Sequence, residues 1–132
     1  MSTNTLTIQS ELYKQLSTLN IPVYDYIPTD AKMPYIKLGY MNMKDYSTKT
    51  NEGIQVNQYI DIFSDYKGQK ETREIMHQIM DKMQQFDKES RDLDISLVNT
   101  EILEEKDKEQ SINSTPKGSI FHGVLIYKIK SI

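Results

Sequence analysis

The 132-residue sequence contains no cysteine, so it forms no disulfide bond and binds no metal through thiolates. It also lacks tryptophan, and Ala31 is its only alanine. No apolar run approaches the roughly 20 residues that a membrane helix needs, and the N-terminal residues lack the basic and apolar regions of a signal peptide. We therefore expect a protein that is soluble and cytoplasmic at synthesis and has no membrane partner.

The sequence also lacks an excess of basic over acidic residues. The chain has 16 Lys and Arg residues against 19 Asp and Glu residues, which gives a net charge of -3. Domains dedicated to binding nucleic acid usually carry a strong basic excess, so this balance disfavours that class. The length is close to the commonest size of one domain, and we expect a single domain over residues 1–132.

No residue spacing in the chain is typical of a catalytic, cofactor or metal site. The phosphate loop G-x-x-x-x-G-K-[ST], the dinucleotide motif G-x-G-x-x-G, the nucleophile elbow G-x-S-x-G and the zinc motif H-E-x-x-H are all missing. The two histidines lie in different predicted elements. For His77 the common interpretation is a solvated helix residue, and for His122 a partly buried strand residue. We predict no catalytic residue, no metal ligand and no cofactor.

Hydrophobic periodicity predicts two helices. Over residues 7–19, apolar side chains recur every three or four positions. The stronger pattern covers residues 69–86, where a single stripe predicts the main core helix. The stripe consists of Thr72, Ile75, Met76, Ile79, Met80, Met83 and Phe86.

Alternating apolar residues predict the strands. A short extended piece covers residues 23–27, and four strands follow at 34–43, 55–64, 93–104 and 119–130. In the first of these four, Ile36, Leu38 and Tyr40 share one face. The last is apolar on both faces, which indicates an interior position in the sheet. The order favours an α+β fold, with one mostly antiparallel sheet of four to five strands and two helices packed on one face.

Two polar stretches separate these elements. The run at 105–118 continues an acidic cluster at Glu101, Glu104 and Glu105, which is typical of a solvated loop. The run at 44–53 has Tyr46 as its only apolar side chain, so we expect either a mobile flap that orders on a partner or an ordinary hairpin loop. Our candidate partner or ring contacts are Lys44, Asp45, Tyr46, Ser47, Thr48, Lys49, Thr50, Asn51 and Glu52.

Tyrosine and methionine leave two interpretations open. Nine tyrosines suit a contact surface, but strand propensity equally explains Tyr35, Tyr40, Tyr59 and Tyr127. Methionine more often packs a core, although it also suits surfaces that adapt to partners. This choice applies to Met41, Met43, Met76, Met80 and Met83.

Four segments, in this order, resemble the tail completion or tail terminator family of long-tailed bacteriophages. They are V-Y-D-Y-I-P-T-D-A-K-M-P-Y-I-K-L-G at 23–39, D-Y-S-T-K-T at 45–50, Y-I-D-I-F-S-D-Y-K-G at 59–68 and F-H-G-V-L-I-Y-K-I at 121–129. Tyr46 stands where many relatives have tryptophan. The stretch 105–118 departs most from the pattern.

The resemblance implies a non-enzymatic structural protein of the virion, located where the tail meets the head. Such proteins form a ring, normally of six subunits, that caps the completed tail tube and meets the head connector. The implied partners are further copies of the chain, the major tail tube protein and a head completion or connector protein. DNA would contact the ring only transiently while passing through its channel, which suits an acidic chain.

Other classes remain open from the residues alone. A head-closure or neck adaptor protein is close in role, whereas a metal-dependent nuclease would need clustered carboxylates and a divalent ion. A free-standing regulatory module would stay monomeric. A ring would need each subunit to present two different patches, and sheet edges that pair with a neighbour are one solution.

Overall fold

The computed structural model describes residues 5–45, 53–105 and 119–131. Every predicted element is present, and its ends differ from the predicted ones by at most three residues. The elements are α1 (Thr5–Ser17), β1 (Val23–Tyr24), β2 (Tyr35–Asp45), β3 (Ile54–Ser64), α2 (Lys70–Glu89), β4 (Leu93–Glu105) and β5 (Ile120–Ser131).

The five strands form one sheet in the order β1-β2-β3-β5-β4. Only the short β1–β2 pair is parallel; the β2–β3, β3–β5 and β5–β4 pairs are antiparallel. Strand β5 lies between β3 and β4, which confirms its predicted interior position. Strand β4 forms one edge of the sheet, and β2 with its two-residue partner β1 forms the other.

Both helices cover the same face of this sheet, which confirms the predicted α+β architecture. Alternate residues of β3 and β5 face the helices, because Ile60 pairs with Leu125 and Val56 with Ile129, and all four are buried. The helices bury Ile8, Leu12, Leu16, Ile75, Ile79, Met83 and Phe86 against them. Neither described helix is long and apolar enough to span a bilayer. The opposite side is called the helix-free face below.

Helix α2 packs unusually close to β5 at Gly123. A Cβ atom built on Gly123 would lie 2.8 Å from Thr72 Cγ2, which is closer than side chains pack. Thr72 is fully buried, and its hydroxyl has no hydrogen-bond partner in the described part of the chain. Glycine at position 123 therefore lets α2 lie directly on the sheet.

Two sequence-based interpretations need correction. The acidic run had favoured a solvated loop, but Glu105 still belongs to β4 and pairs with Ile120, one residue beyond the predicted strand; Glu101 and Glu104 lie within that strand, and all three side chains are exposed. Met41 and Met43 are 41% and 57% exposed, so the preferred core interpretation is wrong for them. For the α2 methionines it is right, since Met76 and Met83 are buried and Met80 packs against the core.

We predict that Ile79→Asp destabilises the protein by about 3 kcal/mol or more, because it places an unpaired carboxylate in the apolar core. Ile79 is fully buried, whereas its neighbour Gln78 is exposed. Gln78→Asp adds the same charge to the same helix turn and is the matched control. Urea unfolding should separate the two variants clearly, and equal stability would show that this face of α2 is not the core.

Candidate interaction surfaces

An aromatic row crosses the helix-free face. It consists of Tyr24 on β1, Tyr35 on β2, Phe63 on β3 and His122 on β5, with successive ring centroids 5.7, 5.4 and 4.4 Å apart. The strand register produces this row, because Tyr35 lies opposite Phe63 and Phe63 opposite His122. Cross-strand aromatic pairs stabilise a sheet, so the row supports the face that α1 and α2 leave uncovered.

His122 ends the row between two carboxylates. Its Nε2 lies 2.8 Å from Asp61 Oδ1 on β3, and its Nδ1 lies 3.2 Å from Glu105 Oε1 on β4. Only the doubly protonated imidazolium donates to both oxygens. The hydrogen bond to Asp61 raises the pKa of His122 above its ordinary value and outweighs the opposing effect of burial; Glu105 raises it further. When His122 is protonated, its ring therefore ties β3 and β4 to β5 at this end of the sheet.

A bulge in β2 makes room for Asp61. The β2–β3 register shifts between Leu38 and Met41, so Gly39 and Tyr40 together stand opposite a single residue of β3. A Cβ atom built on Gly39 would overlap Asp61 Oδ2. Tyr40 turns onto the helix-free face and contacts the Tyr59 ring edge-on, at a centroid distance of 5.2 Å. Glycine at position 39 thus keeps the carboxylate in reach of His122.

A groove runs between α2 and β4 on the helix-covered side. Two adjoining cavities of about 450 Å³ and about 290 Å³ share His77 and Met80 in their walls. Arg73, Asp81 and Glu101 are among the residues that line the groove. The apolar lining is formed by Met76, Met80, Met83, Ile95, Leu97 and Ile102. Strand β4 is one wall of this groove and also the edge of the sheet.

Among the described residues, hydrogen bonds to the outer backbone edge of β4 occur at its beginning. There the Leu93 N–H donates to Ser90 Oγ at 3.1 Å, and the Ile95 N–H donates to Asp87 Oδ1 at 2.9 Å. Within the described ranges, no strand pairs with the outer edge of residues 97–105. In the part of the chain that the structure describes, this strand edge is therefore open and lies above an apolar groove.

The opposite sheet edge is open over a similar length. Strand β1 pairs only with Ile36 and Lys37 of β2. Beyond them, residues 38–44 have no strand partner on their outer side among the residues that the structure describes. Over residues 5–45, 53–105 and 119–131, the sheet thus has one long unpaired edge on each side.

The predicted contact residues are only partly described. Lys44 and Asp45 belong to β2 and pair with Gln55 and Ile54, so the strand continues two residues beyond its predicted end. Both side chains are exposed. The remaining candidates, residues 46–52, lie outside the described residues.

Sequence reasoning missed the group formed by Asp61, His122 and Glu105. Its members are far apart in sequence, and only the β3–β5 and β4–β5 registers bring them together. The partial burial predicted for His122 is confirmed, as is the exposure predicted for His77. The one sequence signal for this group was the alternation of side chains along β3, which places Asp61 and Phe63 on the same face.

We predict that protein stability decreases as the pH rises above about 6.5. The pKa of His122 is raised in the folded state, so its stabilising contribution is fully present below the unfolded pKa and is lost as the pH rises through the folded pKa. Urea unfolding across this range should show the decline. In His122→Gln, which has no titrating ring, that part of the pH dependence should disappear.

Gly39→Ala tests the same contact without changing the histidine. The added methyl group would displace the Asp61 carboxylate from His122. It should lower the His122 titration midpoint measured by NMR. A wild-type midpoint at or below the ordinary histidine value would contradict the proposed pairing.

Comparison with known proteins agrees with this architecture. Fifteen chains of solved structures match the chain. One, described as "Virion of native gene transfer agent (GTA) particle", has a TM-score of 0.70 and 17% identity, with 94% of this chain and 93% of that chain covered. At this identity the likeness shows the fold. Among curated proteins, none matches the sequence.

The family comparison is more specific. The family described as tail completion protein gp17 matches residues 11–125, which include all the strands of the sheet except the end of β5. This agrees with the resemblance seen in the four sequence segments. The chain therefore belongs to the tail completion protein gp17 family and is a structural protein of the bacteriophage virion tail.

Proposed function

We propose that this protein assembles into a ring, normally of six subunits, that caps the completed tail tube and joins the tail to the head connector. The observation that carries the proposal is the family match over residues 11–125. The protein acts by binding other virion proteins and catalyses no reaction, in line with the missing nucleophile and phosphate motifs.

The geometry supports a ring because the subunit offers two different surfaces. Closed rings of identical subunits are built from heterologous contacts, in which one patch meets a different patch of the neighbour. The sheet exposes the outer edge of residues 97–105 on one side and that of residues 38–44 on the other, as far as the described chain shows. Two unlike edges on opposite sides are what such contacts require.

The charge on the helix-free face suits transient contact with DNA. Lys37, Lys128 and Lys130 are interspersed there with Asp61 and Asp94 through the strand register. The whole chain carries a net charge of -3. Strong DNA binding depends on many uncompensated cations, so this surface would let DNA pass without holding it.

Residues 44–52 are the proposed contact with the tail tube or an adjacent subunit. They join two adjacent strands of a rigid sheet, and connections of this kind often carry recognition. Tyr46 is the one aromatic residue among them, and tyrosine is enriched at protein interfaces.

We predict weak self-association of the isolated protein and firm association on the tail. Sedimentation over a concentration series should show the monomer converting to a ring-sized species, and added tail tubes should promote that conversion. A monomer that persists in the presence of tubes would contradict the ring. Cleavage of nucleic acid that a chelator abolishes would instead establish the nuclease alternative.

We also predict that Tyr46→Ala weakens binding to tail tubes by about tenfold, the effect of losing roughly 1.4 kcal/mol at an interface. Tyr66→Ala is the matched control, because Tyr66 is 47% exposed in the connection between β3 and α2. Cosedimentation with tubes measures both variants. Equal binding by the two would remove residues 44–52 from the contact.

A further inference from the structure

The directions of the strands allow one copy of the sheet to continue into the next. Three antiparallel steps lead from β2 through β3 and β5 to β4, so β2 and β4 run in opposite directions. A second copy moved along the sheet without being turned over therefore brings its β2 antiparallel to the first copy's β4. Its helices then lie on the same side as those of the first copy.

The two edges also expose apolar side chains on matching faces. On the helix-covered side, β2 exposes Met41 and Met43, and β4 exposes Leu97 at the mouth of the groove. On the helix-free side, Tyr40 is 63% exposed and Leu103 is 46% exposed. Joining the edges covers apolar side chains on both faces at once.

Charge is complementary along the same edges. Strand β4 contains Asp94, Glu101, Glu104 and Glu105 and no basic residue. Strand β2 contributes Lys44, whose side chain is exposed. By the strand register, Lys44 lies on the helix-free side, as do Glu101 and Glu105. A neighbouring β2 would therefore bring a cation to an acidic strand.

From these matches we infer that the outer edge of residues 97–105 pairs with the outer edge of residues 38–44 of a second copy, forming the subunit contact of the ring. The inference rests on the proposed function and names the surfaces that carry it. Backbone hydrogen bonds extend the sheet across the interface, while Met41 and Met43 pack beside the groove between α2 and β4. Closing the ring leaves neither edge open, which removes the aggregation hazard of exposed strands.

Complementation between two blocked variants tests this contact. Met43→Glu blocks the β2 edge and Leu97→Glu blocks the β4 edge, each by adding a carboxylate at an exposed apolar position. Tyr13→Glu makes the same type of change on the exposed side of α1 and should assemble like the wild type. Sedimentation and native mass spectrometry should be run at a protein concentration about ten times that at which half of the wild-type protein has associated.

Each edge variant alone should remain monomeric, because every subunit has lost one of its two surfaces. A mixture of both should form a one-to-one dimer and nothing larger, because the mixture retains one intact β2 edge and one intact β4 edge. Tyr40→Glu with Leu103→Glu repeats the test on the helix-free side of the same edges. This second pair decides the outcome if either of the first two variants melts early.

Wild-type assembly by the edge variants, or a mixture that stays monomeric or grows beyond dimers, would overturn the edge-to-edge contact. In the first of these cases the ring itself stands and its interface lies elsewhere. A wild-type protein that stays monomeric even on tail tubes would instead overturn the proposed function. The two failures are therefore distinguishable.

Discussion

Both helices pack on one face of the sheet, so the opposite face has to be stabilised by the strands' own side chains. The aromatic row and the His122 ring between Asp61 and Glu105 provide that support. Gly39 is part of the same arrangement, because only glycine leaves room for the Asp61 carboxylate. Side chains of neighbouring strands thus stabilise this face where neither α1 nor α2 covers it.

Because both helices lie on one face of the sheet, they leave parts of its two edge strands without a backbone partner in the described chain. Helix α2 lies beside β4 and forms the groove, but it leaves the outer edge of residues 97–105 open within the described chain. Strand β1 is too short to cover β2 beyond Lys37. An isolated monomer with two such edges is prone to unwanted pairing, and the ring that we propose would resolve this by pairing the edges with each other.

The elements of this fold follow from hydrophobic periodicity, but the site does not. The stripe around Ile79 specified α2 and its buried face, since that pattern depends only on local spacing. Strand faces are less predictable: simple alternation placed Tyr40 with Ile36 and Leu38, and the bulge at Gly39 moved Tyr40 to the other face. The contact between His122 and Asp61 depends on a long-range register that no local pattern encodes. Residues 44–52 remain a proposal from composition and resemblance.

Cryo-electron microscopy of the assembled virion tests the central claim most directly, because it locates this protein relative to the tail tube and the head. We expect a single ring of these subunits between the last layer of the tube and the head connector, with a continuous channel through its centre. Subunits found at the distal tip of the tail, or present singly without neighbours of the same chain, would contradict it.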